Sequence, residues 1–321
     1  MTTDRRALAA SDPDARLIAE VLRELGGLRS DALEISRLPG GLTNRNYRVD
    51  TASGPVVVRL SSEQAALLAI DRGAESANSA AAAAAGVAPA VLGYLPSAGA
   101  LVIDWIDGET LTAASLDDSK TLAALANTCR QLHAGPAFTG EFDMFALQRR
   151  YLSLVTARGY RLPPSYVDFM PEADRIAAAM SACRVAAVPC HNDLLAANIM
   201  RDSHRLWFID FEYAGNGDPF FELGNVCSES HLGPDRVEEL VSAYCGYESP
   251  AKTARARLHG LMSNYGWTLW ASIQDATSEL DFDFWSWGLE KYERAVSEFR
   301  GPDLAPLMTA VRDDEPKGEA Q

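Results

Sequence analysis

The chain has 321 residues, is 47% hydrophobic and carries a formal charge of −15, with 29 Lys and Arg against 44 Asp and Glu. That apolar share suits one large domain or two packed lobes and excludes a disordered chain. The acidic balance argues against a nucleic-acid partner, whose phosphates require clustered cations, and would favour a small cationic ligand.

The five cysteines, Cys129, Cys183, Cys190, Cys227 and Cys245, are odd in number and form no C-x-x-C pair. They read as reduced thiols rather than a disulfide framework or a zinc site. The N-terminus lacks a signal peptide's apolar core, and the Ala80–Ala85 run is too short to span a bilayer. A cytoplasmic protein without membrane association is expected.

Leu17, Ile18, Val21, Leu22 and Leu25 recur at helical spacing after Asp12-Pro13, and Gly26-Gly27 stops that helix. Strand-like pieces follow at Leu33–Leu38, Tyr47–Val49 and Val56–Leu60, with turns at Gly40-Gly41 and Ser53-Gly54. An Ala-rich helix spans about 71–85, and strands are expected at Ala90–Leu95 and Leu101–Trp105. Beyond Asp107-Gly108 helical patterns dominate: Leu122 to Leu132, Ile176–Ala182, Arg236–Tyr244, Ala254–Ile273 and Phe284–Phe299. One strand–loop–strand unit, Ala187–Phe211, interrupts them, and the polar stretch Arg312–Gln321 is expected to fray. Strands gathered first and helices after predict an α+β fold of two lobes, divided near residues 104/105, rather than a doubly wound sheet.

The densest chemical signal is Cys190-His191-Asn192-Asp193-Leu194-Leu195-Ala196-Ala197-Asn198, then Leu206-Trp207-Phe208-Ile209-Asp210-Phe211-Glu212-Tyr213. Phosphoryl transfer needs a base to orient a hydroxyl and oxygen ligands for a metal on the nucleotide phosphates. A loop between two short strands can present Asp193 to a substrate and Asn198 to a metal, with Asp210 supplying an anionic ligand at the second strand's exit. Leu38-Pro39-Gly40-Gly41-Leu42-Thr43-Asn44 is a glycine-hinged turn whose backbone can approach phosphate oxygens, though the same pattern makes an ordinary hairpin. Arg59 ends an apolar strand and Glu75 lies on the next helix, a cation that an acid can brace.

These segments resemble the catalytic and metal-binding stretches of aminoglycoside phosphotransferases and choline/ethanolamine kinases, which in turn resemble protein kinases. The resemblance runs from about Leu38 to Arg294 and implies a two-lobed protein-kinase-like fold using ATP and Mg²⁺. It implies Asp193 as base, Asn198 and Asp210 as metal ligands, and Gly41, Thr43, Asn44, Arg59, Glu75, Ile103 and Asp104 around the nucleotide. Arg59, where many relatives carry Lys, suits the choline kinases and can bind phosphate bidentately.

Four of the six tryptophans fall between Trp267 and Trp287. Tryptophans at helical spacing pack helices, and their faces also hold quaternary ammonium groups, which lack N–H donors. By resemblance Trp267, Trp270 and Trp287 match an aromatic box, with Glu212 and Tyr213 as further substrate contacts. Trp285 has no such counterpart and reads as core. Phosphorylation of choline is thus expected. Ethanolamine, thiamine, an aminoglycoside or another amino alcohol are the alternatives, a nucleotide-binding pseudokinase module is the rival of another class, and a homodimer is compatible with the pattern. Glu222 in Phe221-Glu222-Leu223-Gly224-Asn225 replaces the family's usual Asp, and its extra methylene could alter how the catalytic loop is braced. His133, His204, His231 and His259 show no ligand spacing and are expected to be structural or on the surface.

Overall fold

Residues 7–26, 34–61 and 66–314 are described by a computed structural model of the protein. Leu33, Gly27 and the C-terminal stretch beyond Asp314 lie outside them, so the expectations there stop at that boundary. Five strands, β1 (Glu34–Arg37), β2 (Asn44–Thr51), β3 (Gly54–Ser61), β4 (Val91–Leu95) and β5 (Ala100–Asp104), form one antiparallel sheet in the order β1-β2-β3-β5-β4. Helix α1 (Pro13–Glu24) starts at an Asp12 cap and lays Ile18, Val21 and Leu22 on Val49, Val58 and Val102 of that sheet. Tyr47 and Val49 of β2 and Val56, Val58 and Leu60 of β3 form the face that α1 covers, while Arg59 is buried on the opposite face toward the cleft.

Helix α2 (Arg72–Ala84) buries a polar face, Glu75, Asn78 and Ser79, beside Ala82. That face looks toward the second lobe: the Asn78 amide donates to the Ala214 carbonyl (2.8 Å) and accepts from the Thr139 N–H (2.7 Å). Ala82, Val87 and Ala88 share a core with Leu116, Leu125 and Phe208, so this helix seals one lobe against the other.

The second lobe holds α3 (Ser119–His133), α4 (Met144–Arg158), α5 (Met170–Ala182), α6 (Pro219–Glu229), α7 (Pro234–Cys245), α8 (Pro250–Thr277), α9 (Phe284–Phe299) and α10 (Leu304–Arg312). Short strands β6 (Glu109–Thr110), β7 (Val188–Cys190), β8 (Ile199–Arg201), β9 (Leu206–Phe208) and β10 (Gly215–Gly217) pair as β6-β8-β9 and β7-β10. Helix α8 is the axis of the lobe, buried on every side from Leu258 to Gln274 and packed against α4, α6, α9 and α10. The architecture is the expected α+β pair of lobes, and β6, shortly after the end of β5 at Asp104, already pairs with β8. The five cysteines are free, as their spacing indicates. No helix among the described residues is long and apolar enough to cross a membrane.

Candidate active site

The loop from Cys190 to Ile199 leaves β7 and enters β8, and two residues with positive φ shape its surroundings: Asn192 (67°) and Asp210 (73°). A non-glycine side chain in that region is strained and persists only where neighbours over-determine it. At Asn192 they do so, because its amide donates to the carbonyls of Cys190 (3.0 Å) and Tyr213 (3.1 Å). The Asn192 N–H donates to Glu222 Oε2 (2.7 Å), and Glu222 Oε1 accepts from His133 Nε2 (3.0 Å). The longer acid at position 222 therefore reaches and braces the loop.

His191 Nε2 donates to the Ile209 carbonyl (2.8 Å), so its Nδ1 can accept from the Asp193 N–H (3.3 Å). Burial lowers its pKa and keeps the ring neutral, the form this pair of bonds requires. The Asn198 amide donates to the Asp193 carbonyl (2.8 Å), which fixes its orientation and leaves the side-chain oxygen outside that bond. Burial pushes the Asp193 carboxyl well above the ordinary carboxylate range, with Glu212 and Asp210 adding to the effect.

Arg59 ion-pairs with Glu75 and, at 2.6 Å, with Asp210, so the expected brace exists and extends to the proposed metal ligand. Burial opposes the guanidinium charge, but Asp210, Glu75 and Glu212 more than offset it and hold its pKa above the ordinary value. Glu212 accepts from Thr43 Oγ1 (2.8 Å) and Asn44 Nδ2 (3.0 Å), and pairs with Arg72 at 3.1 Å. The glycine turn is thereby held down on the second lobe, where Gln274 also donates to the Leu42 carbonyl (3.0 Å). Gly41 sits at φ 84°, and a Cβ there would stand 2.8 Å from the Asn44 carbonyl oxygen, so the turn needs glycine. Burial, then Asp210, raises Glu212 to about 7, with Arg59 and Arg72 opposing.

One cleft of 1130 Å³ joins these groups. Gly41, Thr43, Arg59, Ile103 and Asp104 line its upper part. Asp193, Asn198, Asp210 and Glu212 form the floor, and Tyr213, Trp267, Trp270 and Trp287 form one end. Asn44 and Glu75 are buried just behind the lining and act on Glu212 and Arg59. The Trp267 ring meets Tyr213 at 4.9 Å and Trp270 meets Trp287 at 5.5 Å, all edge-on. Trp285 is not core as expected: the Arg161 guanidinium covers its ring at 3.8 Å on the lobe's outside.

Sequence reasoning missed Arg72, Glu229 and Lys291. Arg72 stands three residues before Glu75 on α2, and Glu229 stands seven after Glu222 on the same face of α6. Those spacings were readable signals, but no partner in sequence marks Lys291. His133 and His259 are structural as expected, hydrogen-bonded to Glu222 and Asp218.

A strand-rich lobe, a helical lobe and an acid-bearing loop facing a braced cation across a cleft define a kinase-like phosphotransferase. The chain belongs to the phosphotransferase enzyme family, whose model matches residues 34–261. It is similar to a choline/ethanolamine kinase family protein from Mesorhizobium loti: 30% identity, TM-score 0.80, covering 93% of this chain and 98% of that one. It is also similar to the protein LicA of Haemophilus influenzae, 25% identical over 270 residues, 80% of this chain and 77% of LicA. Mouse ethanolamine kinase 1 is 26% identical over 313 residues, 85% of this chain and 84% of that protein. The protein is an enzyme of this choline-kinase-like type, transferring phosphate to an alcohol group.

Proposed function

We propose that the protein transfers the γ-phosphoryl group of ATP to the hydroxyl of choline, giving ADP and phosphocholine. An amino alcohol is the acceptor class that its relatives named as choline/ethanolamine and ethanolamine kinases support. The observation that carries choline is the aromatic end of the cleft: Tyr213, Trp267, Trp270 and Trp287 open onto the same space as Asp193. A quaternary ammonium has no N–H to donate and is held best by such ring faces.

Asp193 orients the hydroxyl and takes its proton, and its raised pKa brings it nearer the working pH of a general base. Arg59, permanently charged and fixed by Glu75, faces the phosphates from the other lobe. The residues around the cleft floor fit Mg²⁺: Asn198, Asp210 and Glu212 each carry a side-chain oxygen, the ligand atom a hard divalent cation takes. Asn198 and Asp210 would hold it, and when bound it would neutralise phosphate charge. Thr43 and Asn44 close the glycine turn over that end through Glu212.

The test is ATP turnover coupled to ADP detection, with phosphorus NMR of the product, for choline, ethanolamine, thiamine and an aminoglycoside. Phosphocholine formed with the highest kcat/KM of the panel, and lost on adding EDTA, is the expected result. Preferential phosphorylation of another acceptor would replace choline and leave the kinase standing. ATP binding without any product would favour a nucleotide-binding module.

A further inference from the structure

We infer that Lys291 sets which amino alcohol the cleft prefers, by withholding the Glu229 carboxylate from primary ammonium groups and leaving the ring faces to methylated ones. The inference rests on the amino alcohol reading above and adds the residue that tunes it. Lys291 stands one turn after Trp287 on α9, and its Nζ lies 4.2 Å from the centroid of that indole ring. The same Nζ donates to both oxygens of Glu229, at 2.5 and 2.6 Å. The side chains are 2% and 5% exposed, so the pair is almost dry. Glu229, the last residue of α6, and Trp287 both line the cleft that holds Asp193.

The protein has therefore set its own primary ammonium just behind the wall of the pocket, against two of the side chains that line it. A substrate ammonium with N–H groups gives up water on entering and must find acceptors in return. Two buried carboxylates stand beside the rings: Lys291 already uses both oxygens of Glu229, and Thr43, Asn44 and Arg72 occupy those of Glu212. The Asn225 side-chain oxygen nearby is taken by Ser263 (2.7 Å) and the Trp267 N–H (3.2 Å). Asp281 lies at the exposed mouth, where a carboxylate discriminates little. Trimethylated nitrogen loses nothing by this arrangement, because it donates to none of these atoms and binds the remaining ring faces. Deleting the lysine charge would strand a buried carboxylate, which then gains by taking a donor from the substrate.

The test uses the full-length enzyme with saturating MgATP and four acceptors: ethanolamine, its N-methyl and N,N-dimethyl derivatives, and choline. For the natural protein kcat/KM should rise with each methyl group. Lys291→Met keeps an apolar stem on Trp287 but removes the charge, and should move the ethanolamine-to-choline ratio toward ethanolamine by about tenfold. Lys291→Arg should keep the natural order, and the Glu229→Gln/Lys291→Met double variant should lose the gain. A merely structural lysine would lower all four acceptors together with their ratio unchanged, and that result overturns the inference. Should the Met variant fail to fold, a flat or falling methylation series in the natural protein overturns it equally. No turnover of any of the four by the natural protein would instead remove the amino alcohol reading itself.

Discussion

Glu222 does two jobs with one buried carboxylate, holding the strained Asn192 backbone through one oxygen and His133 through the other. Glu222→Ala would leave two buried N–H donors without partners, which should cost about 2–5 kcal/mol. Urea unfolding followed by circular dichroism checks this, and a change under 1 kcal/mol would remove Glu222 from the bracing role. Asp193→Asn keeps the shape of the loop but cannot accept a proton, so kcat should fall by roughly 10²–10⁴ while the KM for ATP stays within about twofold. Near-normal turnover in that variant would assign the base elsewhere. The meeting of Asp193, Asn198 and Asp210 at one cleft was legible because the loop and the strand after it fix their spacing locally. Glu229 and Lys291 meet only after α6 and α9 pack, 62 residues apart, so no local pattern could join them.

Helices α6 and α8 cross at their glycines. A Cβ on Gly224 would overlap the Ala256 carbonyl and stand 2.7 Å from the Gly260 nitrogen, with both helices too buried to move aside. Gly224→Ala should therefore destabilise by about 3 kcal/mol or more, at the upper end of overpacking costs. It should also weaken acceptor binding, since α6 carries Glu222 and Glu229 and α8 carries Trp267 and Trp270. A wild-type melting temperature in that variant would mean the crossing has slack. The long periodic elements were legible: α7, α8 and α9 extend the expected helices by at most a few residues at each end. Helix α6 was not, because nine of its eleven residues are buried, Glu222 and Asn225 included, and no polar face marks it. In α4 the buried Met144, Gln148, Tyr151 and Val155 alternate with partly buried Leu147, Leu152 and Leu154, blurring the stripe. Strands β6 and β10, of two and three residues, exist only through partners brought by the fold.

Beside the apolar core under α2 the lobes meet through polar bonds, Arg59–Asp210, Arg72–Glu212 and Gln274–Leu42 among them, so charge state matters to the whole molecule. Two buried carboxyls outside the cleft act in opposite directions. Burial opposes the charge of Asp218, but His259 and Arg255 win and hold its pKa well below the ordinary value. Its stabilisation is present above the unfolded pKa and is lost as pH falls through the folded one. Glu298 is the reverse: burial outweighs Arg257 and Arg294 and raises it to about 7. Its contribution is full below the unfolded value of 4.5 and is lost as pH rises toward 7 and beyond. Glu298→Gln removes that titration while keeping the shape, so the variant should gain about 2 kcal/mol over the natural protein between pH 5 and 8. The formal charge of −15 adds repulsion at high pH to both proteins nearly alike, so the difference between their melting curves isolates the one carboxyl. Calorimetry at half-unit steps from pH 4.5 to 8.5 measures it. Parallel curves across that range would show that Glu298 keeps an ordinary carboxylate pKa and that the alkaline limb of stability arises elsewhere.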